Sequence, residues 1–436
     1  MPSEHPKNYR GDRGGSTENT LAQSGSWDEY ALALDRAAHD PELGGALSIY
    51  IELPFCPSRC LSCENITTVT HDSAVIDEYL SALDQEMTLV TARLGNGRPL
   101  QQLHLGGGTP NYLTEPQLMR LMSIVERHFT ITDSTETSLQ ASPKRTSWSQ
   151  LELLKGLGFK RIQFEVRDID PEVQKAVGRS HSMPILRDVF DTARDCGFDS
   201  VSMDLVYGLP KQTPASIDQT LKNIVDLAPD RLHSLAYSRR PDTFLHQRSI
   251  DPESMPSLGD KMAIFNLMVD VLQDEGYAWV GIDCFTRQGD ELSQAQRDGT
   301  LHRNIIGYTP DDYQIVLGFG TAAVSELPDM VIQNHIPIDD WRHALLADRL
   351  PVLHGRSLSK AEVGQRRALN DLMCNTELKD YSAQIFEEGD GLLPQLYRDG
   401  LVRKDDSGIS MTEEGRFALH QRWSESSPVD RWAAAI

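Results

Sequence analysis

From residue 47 to residue 238 the chain alternates short β-branched or apolar runs with longer stretches of helical period, and this alternation restricts the fold more than any other feature. The runs are LSIYIEL (47–53), LQQLHLGG (100–107), TETSLQAS (135–142), RIQFEV (161–166), SVSMDLVYGL (200–209) and RLHSLAYS (231–238). Between them VIDEYLSALDQEMTLVTARL (75–94), EPQLMRLMSIVERHF (115–129) and PILRDVFDTARDCGF (184–198) carry apolar residues at 3.6 spacing. Strands joined through a helix pair in parallel, with right-handed crossovers. Successive units of this kind predict an α/β protein whose sheet curls into a partial (β/α)6, TIM-like barrel. Chemistry in such a fold sits on the loops leaving the C-terminal ends of the strands.

A chain of 436 residues exceeds one ordinary core. The expected division is a polar N-terminal extension and helix over 1–46, the barrel with its C-terminal extension over 47–340, and a mostly helical, winged-helix-like domain over 341–436. Residues 1–26 read as mobile and WDEYALALDRAA (27–38) as an amphipathic helix. Past residue 340, SKAEVGQRRALNDLMCN, LLPQLYRDGLV and EEGRFALHQRW read as helices, and VRKDDSGISMT as a hairpin turning at Asp-Ser-Gly. The charge of this last region is mixed, which suits a packing module or lid and not a nucleic-acid reader. Forty-two basic residues against 64 acidic ones give a net charge of -22, which repels a phosphate backbone. Nucleic acid is therefore not an expected partner. No apolar run approaches the length of a membrane span, and the first residues lack the apolar segment of a secretory signal, so the expected location is cytoplasmic.

Half of the six cysteines fall in one loop after the first strand, as Cys56-x3-Cys60-x2-Cys63, while Cys196, Cys284 and Cys374 are scattered. Soft thiolates select zinc or iron–sulfur clusters. A structural zinc site wants a fourth ligand nearby, and no later cysteine is paired in a Cys-x2-Cys or Cys/His arrangement. Three ligands on a cubane leave one iron open, which the amino and carboxylate groups of S-adenosylmethionine are able to chelate.

The cysteine triad after the first strand, with Gly106-Gly-Gly-Thr-Pro110 after the second, resembles the radical S-adenosylmethionine superfamily. Within it the chain is similar to the oxygen-independent coproporphyrinogen III dehydrogenases (oxidases) over roughly residues 47 to 425. The similarity is carried by IYIELPFC, LHLGGGTPNYL, VRDIDPEVQKAVGR, MDLVYGLPKQT, PDRLHSLAYSRRP, DELSQAQRDGTLHRNIIGYT and LGFGTAAVS. The resemblance implies that Cys56, Cys60 and Cys63 hold a 4Fe-4S cluster, and that Tyr50, Gly107 and the backbone near Val324 contact S-adenosylmethionine. It further implies that Gly108, Thr109, Arg179 and Asp204 line a second S-adenosylmethionine pocket, so that one or two of these cofactors bind. Cleavage of the sulfonium to a 5'-deoxyadenosyl radical would convert two propionates of coproporphyrinogen III to vinyls in haem synthesis. The partners so implied are a small-molecule tetrapyrrole and a low-potential electron donor, with the chain acting as a monomer. No individual catalytic residue is assigned.

Arg239 and Arg240 are candidates for attracting the four carboxylates of such a substrate, against solvated surface arginines, and Tyr237 for packing on a macrocycle, against the core role a strand-end tyrosine more often takes. Several positions depart from the family pattern: Glu52 stands for a histidine, Ser62 for an aromatic residue, and Glu64-Asn65 for Gly-Cys. Gln140 stands for the carboxylate that grips the first cofactor, Glu165-Val-Arg167-Asp168 for Gly-Val-Gln-Asp, and Cys284 for a histidine. Gln140 keeps an acceptor but loses a charge, and Arg167 brings a cation where a second sulfonium would lie. Glu165 and Arg167, two apart on one strand, are placed to pair. Cys284, His104 and His302 read as structural more readily than catalytic. These departures keep two other readings in view, a divergent paralogue acting on another tetrapyrrole with one cofactor, and a haem- or porphyrin-binding carrier without turnover.

Overall fold

The computed structural model describes residues 27–40, 47–312, 315–378, 392–405 and 408–426. The N-terminal stretch 1–26 and the hairpin turn at 406–407 lie outside the described residues. A first helix, α1 (Trp27–His39), precedes β1 (Leu47–Leu53), α2 (Ser73–Leu94), β2 (Arg98–Gly107), α3 (Glu115–His128), β3 (Glu136–Ala141), α4 (Trp148–Gly156) and β4 (Arg161–Arg167). There follow α5 (Pro171–Val177), α6 (Met183–Asp195), β5 (Ser200–Tyr207), α7 (Pro214–Val225) and β6 (Arg231–Ala236). All six strands expected from the sequence are present, each within a few residues of its expected bounds.

Strands β1 to β6 pair in parallel in chain order, each with the next. The curl does not close on itself. On the far side of β1 lies β9 (Val316–Phe319), also parallel, and beyond it the antiparallel β10 (Val324–Leu327), β11 (Met330–Asn334) and β12 (Val352–Ser357). On the far side of β6 lies the antiparallel pair β7 (Tyr277–Val280) and β8 (Cys284–Arg287), with β8 next to β6. The sheet therefore continues to Ser357, past residue 340.

Alternation along each strand sorts the residues. Ile49, Ile51 and Leu53 of β1, Leu103 and Leu105 of β2 and Leu139 of β3 are fully buried in the main core. Ser48, Tyr50 and Glu52, with Gln102 and His104, face the other way, into a polar lumen that also takes Ser138, Gln163, Ser202 and His233. Within it the His104 ring stacks on Tyr50 with centroids 5.8 Å apart, and His104 Nδ1 lies 2.8 Å from Ser138 Oγ. Burial holds His104 near pKa 4, so it is a neutral structural ring.

A second apolar core gathers Ile282, Leu369, Leu372, Leu396, Ile409 and Trp423 around α8 (Lys360–Asn375), α9 (Leu392–Arg398), the hairpin β13 (Val402–Asp405) and β14 (Gly408–Met411), and α10 (Glu413–Glu425). The helix expected over LLPQLYRDGLV stops at Arg398, because Gly400 turns left-handed at φ 71° and Val402 enters the hairpin. Cys284 is fully buried with Val280, Leu292, Leu301, Tyr308 and Cys374, which makes it a small hydrophobe of the barrel extension. No helix among the described residues is long and apolar enough to cross a membrane.

Candidate active site

The cysteine loop leaves the C-terminal end of β1 and is pinned along its length. Thr68 N–H donates to Pro54 O at 2.7 Å, Leu61 N–H to Val177 O at 2.9 Å, and Gln247 Nε2 to Cys63 O at 3.0 Å. The glycine loop after β2 lies directly against it. Gly108 N–H reaches Leu53 O at 2.9 Å and Thr109 N–H reaches Phe55 O at 3.0 Å. A Cβ on Gly108 would stand 2.8 Å from Phe55 O, so only glycine lets the two loops approach this closely. The Thr109 hydroxyl then meets Cys56 Sγ at 3.3 Å.

The third contribution comes from α5. Asp170 caps the helix by accepting the Glu172 and Val173 N–H groups, Pro171 sets its first turn, and Gly178 ends it at φ 70°. Arg179 follows at once and is thereby aimed at the cysteines. Its Nε donates to Cys60 Sγ at 3.2 Å, while its other nitrogens reach Glu165 O at 2.8 Å and Glu165 Oε2 at 3.1 Å. A β-bulge interrupts β4 between Glu165 and Arg167, and Arg167 takes a left-handed φ of 70°. The bulge turns Arg167 back toward Glu165 Oε1, 3.5 Å away. One carboxylate is thus shared by two guanidiniums. Asp204 lies beside Glu165 on β5, and burial, with Glu165 next, pushes its carboxyl up to about 7.

Two cavities open on this face. One, of about 170 Å³, takes all three cysteines with Gly108, Thr109 and Arg179. Its charged lining is Arg59, Lys144, Arg145, Arg167 and Arg179 against Glu165 alone. The other, of about 230 Å³, takes Tyr50, Glu52, Glu64, Gly107 and Gln140, with no basic residue. Asn65 borders both, and its Nδ2 donates to Gly107 O at 2.6 Å. Tyr50 and Gly107 therefore line one cavity, and Gly108, Thr109 and Arg179 the other. Asp204 and Val324 line neither cavity. Val324 packs with Val331 and Leu358, and Ala322, two residues earlier, reaches the second cavity.

The cysteine cavity suits a 4Fe-4S cluster on three counts. Its volume is several times the 10–15 Å³ or so that one water requires. All three cysteines line this one cavity, and a cubane takes each thiolate on a different iron. Burial pushes the Cys56 thiol up to about 12, so ionising it calls for positive charge close by, and the cavity is lined by basic side chains.

The radical SAM superfamily model matches residues 50–224. The oxygen-independent coproporphyrinogen III oxidase of Escherichia coli is 36% identical over 422 residues, covering 94% of this chain and 91% of that protein. Its counterpart from Pseudomonas aeruginosa is 34% identical over 411 residues, covering 91% and 87%. The chain belongs to the oxygen-independent coproporphyrinogen III oxidase family. A solved structure of coproporphyrinogen III oxidase from Escherichia coli, described as a radical SAM enzyme, superposes with a TM-score of 0.83 at 34% identity, over 93% of this chain and 94% of that one.

Within this radical SAM fold several sequence candidates take other places. Tyr237 is fully buried among Val173, Val177, Val206, Leu209 and Ile250, so it is core and stacks on no ligand. Arg240 pairs with Glu64 at 3.4 Å and lies over the Phe244 ring, and neither Arg239 nor Arg240 lines the cysteine cavity. His302 lies on a different groove, with Arg303, Glu326 and Arg366. The basic residues at the cysteines are instead Arg59, Lys144 and Arg145, for which no motif in the sequence gave a signal. His181 was missed as well; both its ring nitrogens are buried in the cysteine cavity without a hydrogen-bond partner.

Proposed function

We propose that this chain carries out the oxygen-independent oxidative decarboxylation of coproporphyrinogen III to protoporphyrinogen IX. The observation that carries this reading is the convergence of Cys56, Cys60 and Cys63 on one basic cavity, in a chain alignable with the family over nine-tenths of its length. Cys56, Cys60 and Cys63 would hold a 4Fe-4S cluster, which would supply the electron for cleavage of the S-adenosylmethionine sulfonium. Each propionate would then give up one hydrogen atom, carried off in 5'-deoxyadenosine, together with carbon dioxide and one electron taken by an external one-electron acceptor, leaving a vinyl group.

The chain's own residues hold and screen this chemistry. Arg179 donates to the Cys60 sulfur and is itself fixed by Glu165, which steadies negative charge on the sulfur as the site is reduced. Asn65 ties the cysteine loop to the Gly107 carbonyl and keeps the two cavities in register. Lys144 and Arg145, at the rim of the basic cavity, give an acidic chain a local attraction for a polycarboxylate substrate.

We propose that one S-adenosylmethionine binds per chain, a count supported by the charge lining the cysteine cavity. Gly108, Thr109 and Arg179, which the resemblance gives to a second cofactor, line the cavity of the cysteines, where a second sulfonium would meet the Arg167 and Arg179 guanidiniums held on a single carboxylate. Equilibrium dialysis of the cluster-loaded protein should saturate at one equivalent, and saturation at two would overturn this count. We further take the chain to act as a monomer served by a low-potential electron donor.

The activity is tested by incubating reconstituted protein without oxygen, with S-adenosylmethionine, dithionite and coproporphyrinogen III. Protoporphyrinogen IX with 5'-deoxyadenosine is the expected result; 5'-deoxyadenosine without a decarboxylated product would sink the substrate assignment. Arg179→Gln should shift the cluster midpoint downward by about 40 mV, the one-electron equivalent of losing about 1 kcal/mol of preferential stabilisation of the reduced sulfur. Potentiometric titration reads this shift, and an unchanged midpoint would refute the role of the Arg179–Cys60 contact.

A further inference from the structure

The cavity beside the cysteines has the charge of a cation receptor, and its floor is built to expose one carboxylate. Glu52 is paired with Gly106 across β1 and β2, and Leu105 with Leu139 across β2 and β3, so Gln140 is next in the same row. A carboxylate and a carboxamide thus flank a position with no side chain. The neighbouring Gly107 has φ 105°, and a Cβ there would stand 2.0 Å from Glu52 Oε1, so the carboxylate rests on bare backbone. Its other oxygen, Oε2, accepts the Tyr50 hydroxyl at 2.9 Å, and Tyr50 is held in turn by stacking on His104.

Glu64, the second acid of the cavity, is paired with Arg240, and no lysine or arginine lines the space to neutralise Glu52. We propose that Glu52 is the carboxylate that receives the amino end of S-adenosylmethionine, with Gln140 as the neutral acceptor facing it across the glycine floor. This rests on the function proposed above and assigns to β1 the negative charge that the end of β3 lacks. Burial lifts the Glu52 carboxyl to about 7, so the free site is partly protonated at neutral pH and gives up that proton as a cationic ligand settles. Tyr50 on the same strand and Tyr79 on α2 are both raised by burial, and His104 is lowered to about 4, so all three stay neutral across that range. Arginine-paired Glu64 completes the charged groups on this face.

The test is calorimetric titration of S-adenosylmethionine, without reductant, into cluster-loaded protein at pH 6.5 and pH 8 in buffers of different ionisation enthalpy. The wild-type chain should bind more tightly at the higher pH and release protons at the lower one. Glu52→Gln should bind about 10- to 100-fold more weakly and lose that pH dependence. The double variant Glu52→Gln/Gln140→Glu, which moves the charge to the other side of the glycine, should recover affinity. Cluster absorbance and thermal melting establish that each variant is loaded and folded. Wild-type affinity in Glu52→Gln, or a double variant as weak as the single one, would overturn the assignment of Glu52 and leave the proposed activity standing. A wild-type chain that binds no S-adenosylmethionine would overturn both.

Discussion

Replacing Cys56 by alanine should give a folded chain that takes up no iron–sulfur cluster on anaerobic reconstitution and forms 5'-deoxyadenosine only at background level. Cys56 is buried where the two loops lie against each other, and its sulfur meets only the Thr109 hydroxyl among hydrogen-bonding groups. Removing one sulfur atom there costs about 1 kcal/mol of packing, too little to unfold the domain, yet it deprives one of three irons of its thiolate. Cys196→Ala, Cys284→Ala and Cys374→Ala serve as controls and should keep the cluster, since the last two lie in a separate apolar cluster and the first is remote from the cavity. Iron and sulfide analysis with visible absorbance reads the outcome. A Cys56→Ala chain that retains four irons would refute the assignment of the triad.

Arg303→Met should lower the stability of the whole chain by about 3–5 kcal/mol, the usual consequence of stripping one partner from a buried ion pair. Arg303 donates two parallel bonds to Asp283, both at 2.9 Å, and the side chains are 13% and 4% exposed. The Tyr308 hydroxyl adds a third bond to Asp283 at 2.7 Å, and His420 of α10 stands 3.7 Å from the same carboxylate. Barrel extension and C-terminal region are therefore knotted on one acid. Although burial alone would raise the carboxyl, Arg303 and then His420 outweigh it and bring Asp283 from 3.8 to about 2. A depressed folded value means that this contribution is present above pH 3.8 and is lost as the pH falls through about 2. Denaturant melts of the wild type and Arg303→Met at pH 7 measure the loss, and a difference under 1 kcal/mol, the scale of an exposed pair, would show that the knot contributes little.

The barrel was legible because each strand obeys a local rule. LSIYIEL must bury one face and TETSLQAS alternates, and the structure places β1 and β3 within one residue of those runs. The cysteine loop was legible from spacing alone. What spacing does not carry is direction: Arg167 turns back on Glu165 because a bulge reverses its backbone, and no residue in EVRD announces a bulge. Arg59, Lys144 and Arg145 come from loops far apart in the chain, and only the fold brings them together. Tyr237 sits in the core, the commoner place for a strand-end tyrosine, and the sequence left the other reading open because the local pattern is the same whether the ring is sealed beneath α5 or presented to a guest.

Because β1 and β6 never join, and each is instead extended outward by β9 and β8, the parallel strands form a crescent and not a ring. A closed eight-stranded barrel of this kind fills its own centre with side chains. A crescent keeps two free flanks that accept further strands, and one continuous sheet here runs from Tyr277–Val280 at one margin to Val352–Ser357 at the other.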